Sequence, residues 1–140
     1  MKEHQIIKQL RVLKVIRETD DAKSYVLEPI NGWVPKYEAG QFITLIFYTK
    51  HGEKRRSYSF SSSPELGEEM KITVKHVANG EFSRWMLANV KEDDILQSSG
   101  IGGFFTIQEQ VRQNKNYCFL AAGSGITPCI SLVKTLLAKT

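Results

Sequence analysis

A chain of 140 residues, 41% hydrophobic and 24% charged, holds one main core and has no room for two complete domains. No apolar run approaches the ~20 residues of a membrane-spanning helix, and the opening MKEHQIIKQL lacks the apolar centre of a secretory signal, so a cytoplasmic protein without a membrane partner is expected. Cys118 and Cys129 have the wrong number and spacing for a zinc or iron-sulfur site, and the net charge of +4 comes from interspersed acids and bases. That balance suits a phosphate-bearing ligand, but it has no basic stripe of the kind that reads nucleic acid.

In chain order, apolar residues first cluster on either side of the polar hinge TDDAK: Leu10, Val12 and Val15 before it, Tyr25, Val26 and Leu27 after it. They predict two strands joined by a turn and ending at Pro29. The loop INGWVPKYEAG leads into QFITLIFYT, whose β-branched and aromatic content predicts a buried strand, and HGEK predicts a hairpin turn into the strand RRSYSF. After the loop SSSPELGEE, the stretch MKITVKHV places Met70, Ile72 and Val74 on one face and Lys71, Thr73 and Lys75 on the other, as in a half-buried strand. The period then changes. In NGEFSRWMLANV, Phe82, Met86 and Val90 recur every four residues, which predicts one helix with Trp85 and Met86 in the core. DDILQSSGIGGFF predicts a further strand running into a glycine turn. Many short strands at close spacing with one helix predict an all-β antiparallel barrel over residues 1–113.

Residues 114–140 have another character. NYCFLAAGSGITPCISLVKTLLAKT predicts a continuous apolar strand, a glycine turn and an amphipathic helix, the first βα unit of a parallel α/β domain. A parallel strand needs neighbours to bury its two faces, so further residues past Thr140 are expected.

Three short motifs carry the chemistry. In RRSYSFSSSP, strand alternation sends Arg56 and Tyr58 to one side and Ser57 and Ser59 to the other, and the loop that follows leaves room for Ser59 to turn back. The alternative is an exposed edge arginine beside a packed tyrosine. In GEFS, Gly80 to Ser83 at the helix start, Ser83 either reaches a phosphate or caps the helix amides. In GSGITP, Gly123, Ser124, Gly125 and Thr127 lie between strand and helix. Glycines there permit close approach and the free amides favour an anion, against the alternative of a tight turn with Pro128 in the first helical turn.

Taken in this order, the motifs R-x-Y-S, G-x-x-S and G-x-G-I-T-P resemble the ferredoxin-NADP reductase family of flavoproteins over nearly the whole chain. Within that family RRSYSFSSSP, NGEFSRW and FLAAGSGITPCISLVKTLL are most similar to the reductase component of phenylacetyl-coenzyme A epoxidase and related oxygenase reductases. The resemblance implies a Greek-key FAD-binding barrel followed by a nucleotide-binding domain. It implies FAD as cofactor, NADH or NADPH as co-substrate, and an iron-sulfur domain outside this chain or an oxygenase component as electron acceptor.

The resemblance also implies residue roles. Arg56 would pair with the FAD pyrophosphate, with Ser57 in the same run. Tyr58 would pack on the isoalloxazine ring and Ser59 would hydrogen-bond near flavin N5, which puts both at the reacting centre. The backbone of His76 and Val77 would line the pyrimidine edge, and Gly80, Phe82 and Ser83 would bring the helix start to the pyrophosphate. Gly123, Ser124 and Gly125 would open the nucleotide domain, with Thr127 near the nicotinamide. Asn79-Gly80 replaces the family's Gly-Gly, and GIGGFF lacks the proline of G-P-x-G-x-F; neither change removes a ligand group. The 140 residues alone are not expected to complete turnover, and a flavin-holding module without turnover of its own is the alternative reading.

Overall fold

The computed structural model describes residues 6–108 and 115–139. Strands β1 (Lys8–Thr19) and β2 (Ala22–Ile30) form the first hairpin, with the turn at the predicted acidic hinge. Strands β3 (Phe42–Thr49) and β4 (Gly52–Ser59) form the second, in a register that sets Ile43 opposite Tyr58 and Leu45 opposite Arg56. Strand β5 (Met70–Lys75) pairs with β2, and β6 (Ile95–Gly102) lies between β3 and β1. All pairs are antiparallel and the order is β4-β3-β6-β1-β2-β5, the Greek-key arrangement expected from the family resemblance.

One bridge, Phe60 to Ile72, joins the two edges of this sheet, with Ser61 N–H donating to the Lys71 carbonyl at 2.9 Å. The barrel is therefore closed just beyond the end of β4. Along Gly52–Ser59 itself, β4 has a strand partner on the β3 side only among the described residues.

Alternation fills the interior. Leu10, Val12, Tyr25, Leu27, Ile43, Leu45, Phe60, Ile72 and Val74 are all essentially inaccessible, each contributing on the order of 1.5–3 kcal/mol by leaving water. Pro29 is tolerated in β2 because the pairing of β2 with β5 stops at Leu27, so its missing N–H interrupts no ladder on that side. Helix α1 (Glu81–Asn89) seats Phe82 and Met86 in the same core, with Val90 just past its end, and Tyr25 donates its hydroxyl to the Met86 carbonyl at 3.0 Å. Burial pushes the Tyr25 phenol up to about 12, and nearby Tyr58 adds to the shift. Trp85 corrects the sequence expectation: it is 45% exposed. A step of 100° per residue turns it off the Phe82–Met86 line, and it meets the rim edge-on at Phe47, ring centroids 5.4 Å apart.

The C-terminal segment follows the expectation in part. Helix α2 (Ile126–Ala138) forms, but residues 115–122 make no strand, and Leu120 is 92% exposed. A parallel strand exists only through ladders to its neighbours, and no strand pairs with this segment among the described residues. The boundary expected between residues 113 and 114 falls at the edge of 109–114, outside the described residues.

Helix α2 lies against the loop that follows β4. Ser131 donates its hydroxyl to the Ser62 carbonyl at 2.6 Å, and the Ser63 and Thr135 hydroxyls lie 2.6 Å apart. Lys134 pairs with Glu68 at 3.0 Å, and Glu68 also accepts from Ser63 N–H at 2.7 Å. Burial opposes ionisation of Glu68, but the Ser63 amide and the Lys134 ammonium outweigh it and hold the carboxyl below its ordinary range.

Candidate functional site

The register of β3 and β4 decides where the first motif points. Opposite residues in an antiparallel pair share a face, and Arg56 and Tyr58 stand opposite the buried Leu45 and Ile43. Both are thus aimed at the barrel side of the sheet, where Tyr58 packs against the core and Arg56 lies over the Phe82 ring at 4.7 Å from its centroid. Burial raises the Tyr58 phenol, with the Arg56 guanidinium pulling against it. Ser57 points outward, its hydroxyl 2.8 Å from that of Thr44. Ser59, half-buried at the strand end opposite Phe42, completes the run.

The second motif meets the first through Phe82. Phe82 is 5% exposed and stacks on Phe47 at 4.7 Å, so α1 begins directly beside Arg56. No side chain caps the first turn of α1. The Ser83 hydroxyl turns back instead, accepting from Val77 N–H and donating to the Gly80 carbonyl, both at 3.2 Å. A Cβ at Gly80 would stand 2.7 Å from Ser83 Oγ and 2.9 Å from Val77 Cβ, so only glycine fits. The His76 amide donates to the Asp21 carbonyl at 2.7 Å, so the N–H groups of His76 and Val77 both have partners within the protein.

Three kinds of group are thereby brought to the start of α1. Arg56 of β4, in the run with Tyr58 and Ser59, reaches it through Phe82, and Val77, just past the end of β5 with His76, reaches it through Ser83, while the helix start itself has no side-chain cap. A guanidinium beside uncapped helix amides suits a phosphate or pyrophosphate. A half-buried phenol next to it suits a flat, partly apolar ring.

The third motif lies apart from the start of α1. Gly123–Gly125 form a single 3-10 turn running into α2, and Thr127 donates to the Ser124 carbonyl at 3.0 Å. Ser124 and Thr127 face the outer side of β5 across a cavity of about 420 Å³, whose other lining includes Lys71, Thr73, Lys75 and Ser61. The first two motifs thus meet where Arg56 lies over Phe82, and the third shares a cavity with Ser61 and Lys75, which follow and precede them in the chain. Lys71 and Lys75 of this cavity form the polar face that the sequence predicts for β5, but no sequence signal says that the start of α2 packs across from them.

A family model for the oxidoreductase FAD-binding domain matches residues 10–107. The chain belongs to that family. This FAD-binding oxidoreductase domain, of the ferredoxin-NADP reductase type, is 34% identical over 137 residues to the ferredoxin reductase component of 3-ketosteroid-9-alpha-monooxygenase from Mycolicibacterium smegmatis, covering 94% of this chain and 38% of that protein. It is 33% identical over 125 residues to the glycine betaine monooxygenase reductase subunit of Pseudomonas aeruginosa, covering 89% and 34%. Among solved structures, the FAD/NAD binding domain of nitric oxide dioxygenase from Vibrio cholerae superposes with a TM-score of 0.81 at 26% identity, over 94% of this chain and 57% of that one. The domain therefore spans little more than a third of the length of the curated relatives it matches.

Proposed function

We propose that this domain binds FAD between β4, the end of β5 and the start of α1, and serves within a longer NAD(P)H-dependent reductase. The reading rests on the placement of Arg56 over Phe82, which joins a cation, an aromatic wall and an uncapped helix start in one place. In it, Arg56 and the first amides of α1 hold the pyrophosphate, and Ser83 and Gly80 shape the turn that presents those amides. Tyr58 supports the isoalloxazine ring, Ser59 positions a hydroxyl at the ring edge, and the backbone at His76–Val77 bounds the other side. When bound, the flavin supplies hydride acceptance from reduced nicotinamide and one-electron delivery onward. The protein's share is position, exclusion of water and hydrogen bonding at the ring.

For the whole protein, the named relatives support an oxygenase reductase component, delivering electrons to an iron-sulfur domain or to an oxygenase partner. A cytoplasmic location accords with the described residues, where no helix is long and apolar enough to cross a membrane. Residues 1–113 are read as the flavin barrel and 114–140 as the start of the nucleotide domain, with Gly123, Ser124, Gly125 and Thr127 on the nicotinamide side. The family match, which ends at residue 107, supports that division. The alternative for these 140 residues alone is a flavin-holding module without turnover.

Titration with FAD, followed by the flavin bands near ~450 nm, tests the reading. Arg56→Ala removes a charge-assisted contact and is expected to weaken FAD binding on the order of 100-fold. Its melting temperature should stay that of the parent, since Arg56 is exposed. Unchanged affinity in a folded variant sinks the assignment.

A further inference from the structure

Ser61, Ser62 and Ser63, which follow the run assigned to the flavin, are all buried. The barrel holds them from one side. Ser61 N–H donates to the Lys71 carbonyl at 2.9 Å, Lys71 N–H donates to Ser62 Oγ at 3.0 Å, and the Tyr37 hydroxyl lies 2.8 Å from that same oxygen. Helix α2 holds them from the other. Ser131 donates to the Ser62 carbonyl at 2.6 Å, and Thr135 donates to the Ser131 carbonyl at 2.9 Å, which leaves Ser63 as the donor in its 2.6 Å contact with Thr135. Thr127, Ser131 and Thr135 recur every four residues and are all buried, so they form one line along α2. Burying hydroxyls costs desolvation unless each finds a partner, and for Ser131 and Thr135 the partners lie in the serine loop.

We propose that Ser131 and Thr135 are positioning residues, a hydroxyl clasp on Ser62 and Ser63 that fixes Thr127, on the nicotinamide side, relative to Ser59 at the flavin. The inference rests on the flavin reading above. The path between the two is short. Ser59 stands three residues before Ser62, a span of at most ~11 Å when fully extended, and Thr127 stands one helical turn before Ser131, about 6 Å along the axis. The Ser59 end is already fixed by its pairing with Phe42 and by the Phe60–Ile72 bridge, so what the clasp adds is the place of α2. Hydrogen bonds have a preferred length and direction, whereas apolar contact is non-directional and would let the helix slide. The clasp also gives the serines of RRSYSFSSSP a task that the cofactor contacts leave unassigned.

Amide NMR of the 140-residue chain titrated with FAD tests the clasp without turnover. Bound FAD is expected to shift the Thr127 resonance in the parent and in Thr135→Ser, which keeps the hydroxyl, and to leave it unmoved in Ser131→Ala and in Thr135→Val, which keeps the shape. FAD affinity should be the parent's in every variant. Glu65→Gln, which weakens the ion pair to Lys139 on the same helix but touches no hydroxyl of the clasp, should respond as the parent does. In the longer reductase, Ser131→Ala and Thr135→Val are expected to slow flavin reduction roughly tenfold at saturating reduced nicotinamide, a fraction of the ~100-fold that an ångström of misplacement can cost. If FAD binds but Thr127 responds in every variant, or in none of the chains, the clasp is overturned while the flavin reading stands, and an unchanged reduction rate overturns it equally. If no FAD binds the folded parent chain, the flavin reading falls and the clasp with it.

Discussion

The barrel and helix α2 are held in place by different kinds of interface. The barrel is an apolar interior in which strands and α1 share one continuous cluster of buried side chains, none of them supplied by α2. Helix α2 buries Cys129 and Leu132, but the specific contacts of its seam are hydroxyls and an ion pair: Ser131 to Ser62, Thr135 to Ser63, Lys134 to Glu68. Ile126, Ile130, Val133 and Leu137 remain exposed along the helix. The lesson is one of cooperativity. An apolar core opens as a unit, whereas a helix held mainly by polar contacts can open locally while the barrel stays closed.

The strongest way to break this comparison is at Phe60, the fully buried ring that carries the closing bridge to Ile72 and packs on Tyr37 at 4.1 Å. Phe60→Ala is expected to cost the barrel about 3–5 kcal/mol in urea unfolding. A loss below ~1 kcal/mol would show that the closure is not part of the core's cooperative unit.

Ser131→Ala is expected to have a smaller and local effect. It strips the donor from the buried Ser62 carbonyl, a loss of about 1–3 kcal/mol. Hydrogen exchange should quicken in the amides of α2 and keep its parental rate in β1 and β2. If the strand amides quicken equally, α2 belongs to the barrel's folding unit and the contrast drawn above is wrong.

The smallest effect is electrostatic. The Glu68 carboxyl is held below its ordinary value of 4.5, so its contribution is present above that pH and is lost as pH falls through the lowered value. Because Glu68 and Lys134 are each about a third exposed, the contribution is expected to stay under ~1 kcal/mol. Protection of the α2 amides should decline on acidification below 4.5, and the Glu68→Gln variant should lose that decline. An acid response that persists in the variant would assign it to another carboxylate.

The strands were legible because their side chains alternate against one core. Met70, Ile72 and Val74 face inward as the period of two requires, and Phe82, Met86 and Val90 do so as the period of four requires. Such periodicities are local, and burial on one face enforces them. The strand expected over residues 116–122 failed for the complementary reason: its apolar content is local, but a parallel ladder is not. Trp85 was misplaced because a count by fours says which residues share a stripe and not how wide the stripe is.

For the candidate site, the sequence by itself supplied the three motifs, their order and the elements on which they sit. From these came the expectation of a flavin-binding barrel, and the family match agrees with it. Tertiary structure alone brought Arg56 over Phe82, turned Ser83 back toward Val77, and set the Gly123–Thr127 turn across a cavity from Lys71 and Lys75. Apart from the Ser83 turn, which spans only six residues, each of these depends on the distance between residues far apart in the chain. That distance is set by barrel closure and helix docking, interactions that no local pattern of residues encodes.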